Sequence, residues 1–95
     1  MKILGFEMSD SAIHVVENRM KAGSFEALDV RRVLLAEFRR HPRSGPADPF
    51  RVADTAATRL IRFYADKGAI SKVTGTRRWA PKRDTGNQRP AVTVI

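Results

Sequence analysis

Two carboxylates near the start of the chain, Glu7 and Asp10, have the side chains best suited to acid or metal chemistry. Glu7 belongs to an apolar run at residues 2–8, and Asp10 lies in the short polar turn that follows it. Carboxylates that converge on one point can hold a divalent cation such as Mg²⁺, which activates water for phosphodiester hydrolysis. Glu7, helped by Asp10, is therefore the candidate catalytic residue. The alternative is a carboxylate at a strand end that is solvated or paired with an arginine.

A second candidate site is cationic and lies near the other end of the chain. Lysine and arginine neutralise phosphates, and an aromatic ring among them can stack on a base. Residues 67–95 contain seven Lys and Arg residues and one acidic residue, Asp84. Trp79 can equally pack against the edge of a sheet. The candidate nucleic-acid-binding residues are Arg77, Arg78, Trp79, Lys82 and Arg83.

Other catalytic and metal sites find no support in the sequence. The chain has no cysteine, and its two histidines, His14 and His41, stand in no recognisable motif. Zinc needs three or four ligands at suitable spacing, and no glycine-rich phosphate-binding motif is present. The lack of cysteine favours a reducing cytoplasm, and no apolar run is long enough for a signal peptide or a membrane span. We therefore expect a cytoplasmic protein.

Three short strands are predicted before the proline-rich loop at residues 39–49. The first is the apolar run at residues 2–8, and the second is the β-branched run at residues 12–17. The third covers residues 25–35, where Arg31 and Arg32 interrupt the alternation and suggest a bulge. Only short polar turns separate these runs, so an antiparallel meander is expected.

A long amphipathic helix is predicted after the loop. Asp48 suits its N-cap, Pro49 its first position and Gly68 its C-terminal end. Residues 69–74 predict a fourth strand, and the sequence after residue 75 shows no periodicity. The predicted architecture is an α/β (α+β) domain of order β-β-β-α-β over residues 1–75, with a basic, disordered tail over residues 76–95. The apolar face of the helix consists of Phe50, Ala53, Ala57, Leu60, Ile61 and Tyr64.

The opening sequence KILGFEMSDSAIHVVE, together with this element order, resembles the start of the ribonuclease-H-like and actin-like ATPase superfamilies, which include Holliday-junction resolvases. More narrowly, residues 2–75 resemble a family of short bacterial proteins with the same layout. The resemblance implies a ribonuclease-H-like fold in which Glu7 is a ligand of a divalent metal. The chain departs from the pattern because Glu7 replaces the usual aspartate and residues 73–79 lack a second carboxylate.

Three functions follow from these observations. The leading hypothesis is a non-catalytic module that contacts nucleic acid through its basic C-terminal segment. The second is a metal-dependent nuclease that uses Glu7 and Asp10. The third is a protein-interaction module or homodimer, because a sheet with one helix leaves an apolar face uncovered.

Overall fold

The computed structural model describes residues 1–82, which form three α-helices and two separate antiparallel hairpins. This is an α+β arrangement, but the predicted three-stranded meander with a single long helix is wrong. The elements in chain order are β1 (Lys2–Ile3), β2 (Phe6–Glu7), α1 (Asp10–Lys21), α2 (Ala27–Arg40), α3 (Pro49–Asp66), β3 (Ile70–Lys72) and β4 (Trp79–Pro81).

The predicted second strand, residues 12–17, lies within helix α1. Ala12, Val16 and Met20 are buried and spaced four residues apart, which places them on one face of a helix. Ser9 is the N-cap, because its Oγ accepts a hydrogen bond from the backbone N–H of Ala12 at 3.1 Å. The β-branched residues favoured a strand, but the spacing of the buried side chains and the cap stabilise a helix.

The predicted third strand, residues 25–35, is mostly helix α2. Glu26 and Asp29 form a capping box in which each side chain accepts a hydrogen bond from the backbone N–H of the other. Arg31 and Arg32, predicted to form a bulge, are consecutive helical positions, the first half-buried and the second exposed. Buried apolar side chains again recur four residues apart, at Val30, Leu34 and Phe38.

The expected ribonuclease-H-like layout is therefore wrong as well, because two of its three opening strands are helices. The first predicted strand is instead a small hairpin, in which Lys2 pairs with Glu7 and Ile3 with Phe6. The predicted fourth strand is present as β3, and it pairs with β4 in a second hairpin. Strand β4 lies within the segment that was expected to be a disordered tail.

The helix predicted between Asp48 and Gly68 is confirmed as α3. Asp48 caps it by accepting a hydrogen bond from the backbone N–H of Arg51 at 3.2 Å, and Pro49 is its first residue. Gly68, just after its C-terminal end, has a φ of +79°, which favours glycine. Most of the predicted apolar face is buried, but Phe50 is exposed. No helix in residues 1–82 is long and apolar enough to cross a membrane.

The hydrophobic core lies between the helices, with α2 packed against both α1 and α3. The first hairpin packs against α3, and the second contacts α1 and α3. Tyr64 Oη donates a hydrogen bond to Glu17 Oε2 and so joins α3 to α1. Burial and this bond to the carboxylate raise the pKa of Tyr64 well above its usual value, which keeps the phenol protonated. The largest fully buried side chains are Phe25, Ile3, Leu34, Leu60, Val16 and Val30.

The turn of the first hairpin contains a conformational strain that a substitution should relieve. Leu4 and Gly5 have φ values of +52° and +82°, the signs that a type I′ turn requires at both central positions. Leucine in this region costs about 1–2 kcal/mol, whereas asparagine tolerates it better. Because Leu4 is 51% exposed, we expect Leu4→Asn to raise the free energy of unfolding by up to about 1 kcal/mol.

Urea denaturation of the Leu4→Asn variant would measure this gain. Leu28→Asn is the matched control, since Leu28 is 45% exposed but lies in helix α2, where asparagine is the poorer residue. A lower stability of Leu4→Asn than of the parent chain would contradict the prediction.

Candidate nucleic-acid interface

Within residues 1–82, the two candidate catalytic carboxylates lie at the end of β2 and at the start of α1. Glu7 lies in β2, and its Oε2 accepts a hydrogen bond from the N-terminal ammonium of Met1 at 2.8 Å. This hydrogen bond and the ammonium charge lower the pKa of Glu7. Asp10 begins α1, and nowhere in residues 1–82 do three His, Cys, Asp or Glu side chains come together as a metal ligand set. The described residues therefore lack the cluster of several converging carboxylates that the implied Mg²⁺ site needs.

Arg78, one of the candidate phosphate ligands, is bound within the fold. Its Nη2 and Nε donate to the carbonyl oxygen and Oγ of Ser24 at 2.9 and 3.2 Å. Its Nη1 donates to Glu26 Oε2 at 3.2 Å. All three groups lie between α1 and the start of α2, so Arg78 fastens the second hairpin to that connection.

Trp79 also packs against the fold. The backbone N–H and C=O of Phe25 exchange hydrogen bonds with those of Trp79, at 2.8 and 2.7 Å between N and O. The Trp79 ring is half-buried, and Lys72 Nζ lies 5.3 Å from its centroid. This ring is therefore engaged in the packing of the second hairpin.

The remaining residues of the predicted basic site differ in placement. Arg77 and Lys82 are exposed at the surface. Arg83 lies outside the described residues. The structure therefore places the four described residues of this set in or directly beside the second hairpin, and Arg77 and Lys82 are the ones whose exposure suits contact with phosphate.

A second cationic region surrounds the connection from α2 to α3, and it includes arginines of the loop predicted at residues 39–49 and one of the predicted helix. We call it the basic corner and define it as the exposed residues Arg39, Arg40, Arg43 and Arg51. Arg40 Nη1 lies 3.9 Å from Glu37 Oε1. The other three guanidinium groups have no carboxylate of residues 1–82 within 4.0 Å. The run RRHPR at residues 39–43 was the signal for this region in the sequence.

The local charge of the basic corner is strongly positive. Asp48 is the one acidic residue between residues 38 and 53, and its Oδ1 accepts a hydrogen bond from the backbone N–H of Arg51 as the cap of α3. The corner therefore presents four guanidinium groups against two carboxylates, Asp48 and the buried Glu37.

An apolar cleft of about 240 Å³ adjoins the basic corner. Phe50, in the first turn of α3, is 56% exposed and forms one wall instead of entering the core. Arg39 belongs to both the cleft and the corner. The lining residues are Leu35, Phe38, Arg39, Pro42, Gly45, Pro46, Pro49 and Phe50.

A buried carboxylate, Glu37, holds the basic corner to helix α1. Glu37 is 4% exposed, and its Oε2 accepts a hydrogen bond from Ser11 Oγ at 2.6 Å and lies 3.3 Å from His41 Nε2. Ser11 and His41 thus contact the same carboxylate oxygen. A histidine activates a serine nucleophile through a hydrogen bond between the two side chains, so this arrangement is not that of a nucleophile and its base. This cluster positions the end of α2. Sequence reasoning missed it because a carboxylate on the buried face is recognisable only once α2 is known to be a helix.

The two cationic regions lie at opposite ends of α3. The basic corner is at its N-terminal end, and the hairpin with Arg77 and Lys82 follows its C-terminal end. An α-helix of 18 residues is about 27 Å long. They are therefore separate surfaces that can be altered independently.

Comparisons of the chain with protein-family models, with curated proteins and with solved structures found no match. Charge, exposure and contacts within residues 1–82 are therefore the grounds on which a function can be inferred.

Proposed function

We propose that the chain is a non-catalytic nucleic-acid-binding module that contacts phosphates through the basic corner. The observation that supports this function is the exposure of Arg39, Arg43 and Arg51 without a carboxylate partner in the described part of the chain. Guanidinium groups form bidentate, charge-assisted hydrogen bonds with phosphate oxygens. The whole chain has 18 Lys and Arg against 10 Asp and Glu, a net charge of +8 that favours polyanions over other ligands.

The basic C-terminal segment has a supporting role in this proposal. Arg77 and Lys82, continued in sequence by Arg83, give a second phosphate contact beyond the opposite end of α3, a helix about 27 Å long. That length corresponds to about eight nucleotides along one strand at 3.4 Å each. Since the chain has no cysteine, its composition suits the reducing cytoplasm, where we place this binding.

Charge reversal at the basic corner tests the proposal. We expect Arg39→Glu with Arg43→Glu to weaken binding of a fluorescein-labelled oligonucleotide at least about tenfold, because two phosphate contacts are lost. The plot of log K against log salt should become shallower by about 1.5. Fluorescence anisotropy at several salt concentrations would measure both quantities.

The matched control is Arg77→Glu with Lys82→Glu, which changes the net charge of the chain by the same amount at the other end of α3. We expect this variant to lose less affinity than the corner variant. Equal losses would show that overall charge, and not the basic corner, attracts the nucleic acid. A parent chain that binds no oligonucleotide at low salt would overturn the proposed function.

A further inference from the structure

We infer that the cleft beside Phe50 binds one unpaired base of a nucleic acid strand, so that the protein prefers single strands to duplexes. This inference rests on the proposed function, because the arginines of the basic corner would hold the phosphates of the same strand. The apolar cleft would then give the preference for single strands, whereas the charged residues would give the general affinity for nucleic acid.

The shape and lining of the cleft suit a single base. Phe50 offers an exposed ring, and Leu35, Phe38, Pro42 and Pro46 give the cleft apolar walls. Its volume of about 240 Å³ lies below the roughly 300–1,000 Å³ of sites for drug-sized ligands. A flat ring system that stacks on Phe50 is the kind of ligand that such a small apolar cleft accommodates.

The charges around the cleft indicate which molecule carries that ring. Arg39 lines the cleft itself, Arg51 follows Phe50 in the chain, and Arg43 lies in the same loop as Pro42. Proteins that bind single strands combine a positively charged surface for the backbone with aromatic side chains for the bases. In a duplex the bases are already paired and stacked, so their faces are not available to Phe50. Charge and apolar surface together therefore favour an unpaired strand.

The other exposed phenylalanine in α3, Phe63, also has basic neighbours, but it does not line this cleft and its ring is already in contact with other side chains. Lys67 Nζ lies 4.9 Å from the centroid of its ring, and the Tyr64 ring packs against it edge-to-face with centroids 5.2 Å apart. Its exposure of 46% is nevertheless close to that of Phe50. Phe63 is therefore a matched control on the same helix.

The experiment compares Phe50→Ala with Phe63→Ala by fluorescence anisotropy, using a labelled oligothymidine strand and a mixed-sequence duplex of equal length. We expect the parent chain to bind the single strand more tightly. Phe50→Ala should weaken single-strand binding by about 5- to 150-fold, the range expected for the loss of one stacked base. It should leave duplex binding within about twofold and the salt dependence unchanged. Phe50→Trp should retain or tighten single-strand binding, and Phe63→Ala should change neither affinity.

Unchanged single-strand affinity in Phe50→Ala would overturn the inference and leave the cleft to another occupant, such as an apolar protein segment. The proposed function would still stand in that case if the Arg39→Glu, Arg43→Glu variant bound both nucleic acids more weakly. Equal weakening of single-strand and duplex binding in Phe50→Ala would also overturn base stacking. Failure of the parent chain to bind either nucleic acid would overturn both proposals together.

Discussion

Replacement of Phe25 by alanine is expected to lower the free energy of unfolding by about 3–5 kcal/mol. Phe25 is 0% exposed and is the largest of the fully buried side chains. Its removal would leave a cavity at the point where the α1–α2 connection meets the second hairpin. These two segments are joined there by the backbone hydrogen bonds between Phe25 and Trp79. Domains of this size are stable by only about 5–15 kcal/mol, so this loss would be a large share of the total.

Equilibrium urea denaturation followed by circular dichroism would measure the effect. Leu28→Ala is the control, because Leu28 is 45% exposed three residues further along the chain, and truncation there should cost less than about 1 kcal/mol. A Phe25→Ala variant as stable as Leu28→Ala would show that Phe25 does not have the buried position described.

The second large effect is expected from Ser11→Ala, with a loss of about 1–2 kcal/mol in the free energy of unfolding, because Ser11 is exposed and water can replace part of its bond. Ser11 donates the short 2.6 Å bond to the buried Glu37 carboxylate. Without this donor the carboxylate keeps its burial but loses its best hydrogen bond, and an unsatisfied buried charged group is costly. Because His41 shares the same carboxylate oxygen, the variant should also loosen the end of α2 and weaken oligonucleotide binding at the basic corner.

A double variant separates this explanation from a general loss of helix stability. Ser11→Ala combined with Glu37→Leu removes both partners and replaces the buried charge by an apolar side chain, so it should be more stable than Ser11→Ala alone. Ser44→Ala is the control, since Ser44 is exposed like Ser11 but makes only a 3.4 Å bond to the carbonyl oxygen of His41. A double variant less stable than Ser11→Ala would contradict the assigned role of Glu37.

The parts of the fold that the sequence predicted are those whose end signals agreed with their periodicity. For α3, the cap at Asp48, the proline after it, Gly68 and the apolar spacing all indicated one helix. For α1 and α2 the signals conflicted. In α1 the β-branched side chains favoured a strand, while the capping serine and the buried side chains four residues apart, from Ala12 to Met20, specify the helix. Tertiary packing decided between them, as it often does when propensity is weak.

The candidate site was predictable only in part for a related reason. Attraction to polyanions followed from charge alone, but the sequence could not distinguish an exposed arginine from a bound one. Arg77 and Arg78 are neighbours in sequence, yet the Arg78 guanidinium forms three hydrogen bonds within the fold while Arg77 is exposed. Likewise, Phe50 fitted the apolar face of α3 by its spacing and nevertheless lies over a cleft at the helix end.

The contact between the α1–α2 connection and the second hairpin has a consequence for the order of folding during synthesis. It joins residues 54 positions apart, whereas much of the remaining structure is local and helical. Helices form in about a microsecond, but distant contacts must wait until both segments have left the ribosome. All three helices are therefore translated before Trp79, and until then the backbone N–H and C=O of Phe25 lack the partners that they have in the folded protein. In that interval the α1–α2 connection presents an unpaired backbone edge, the kind of surface that invites pairing with another extended segment.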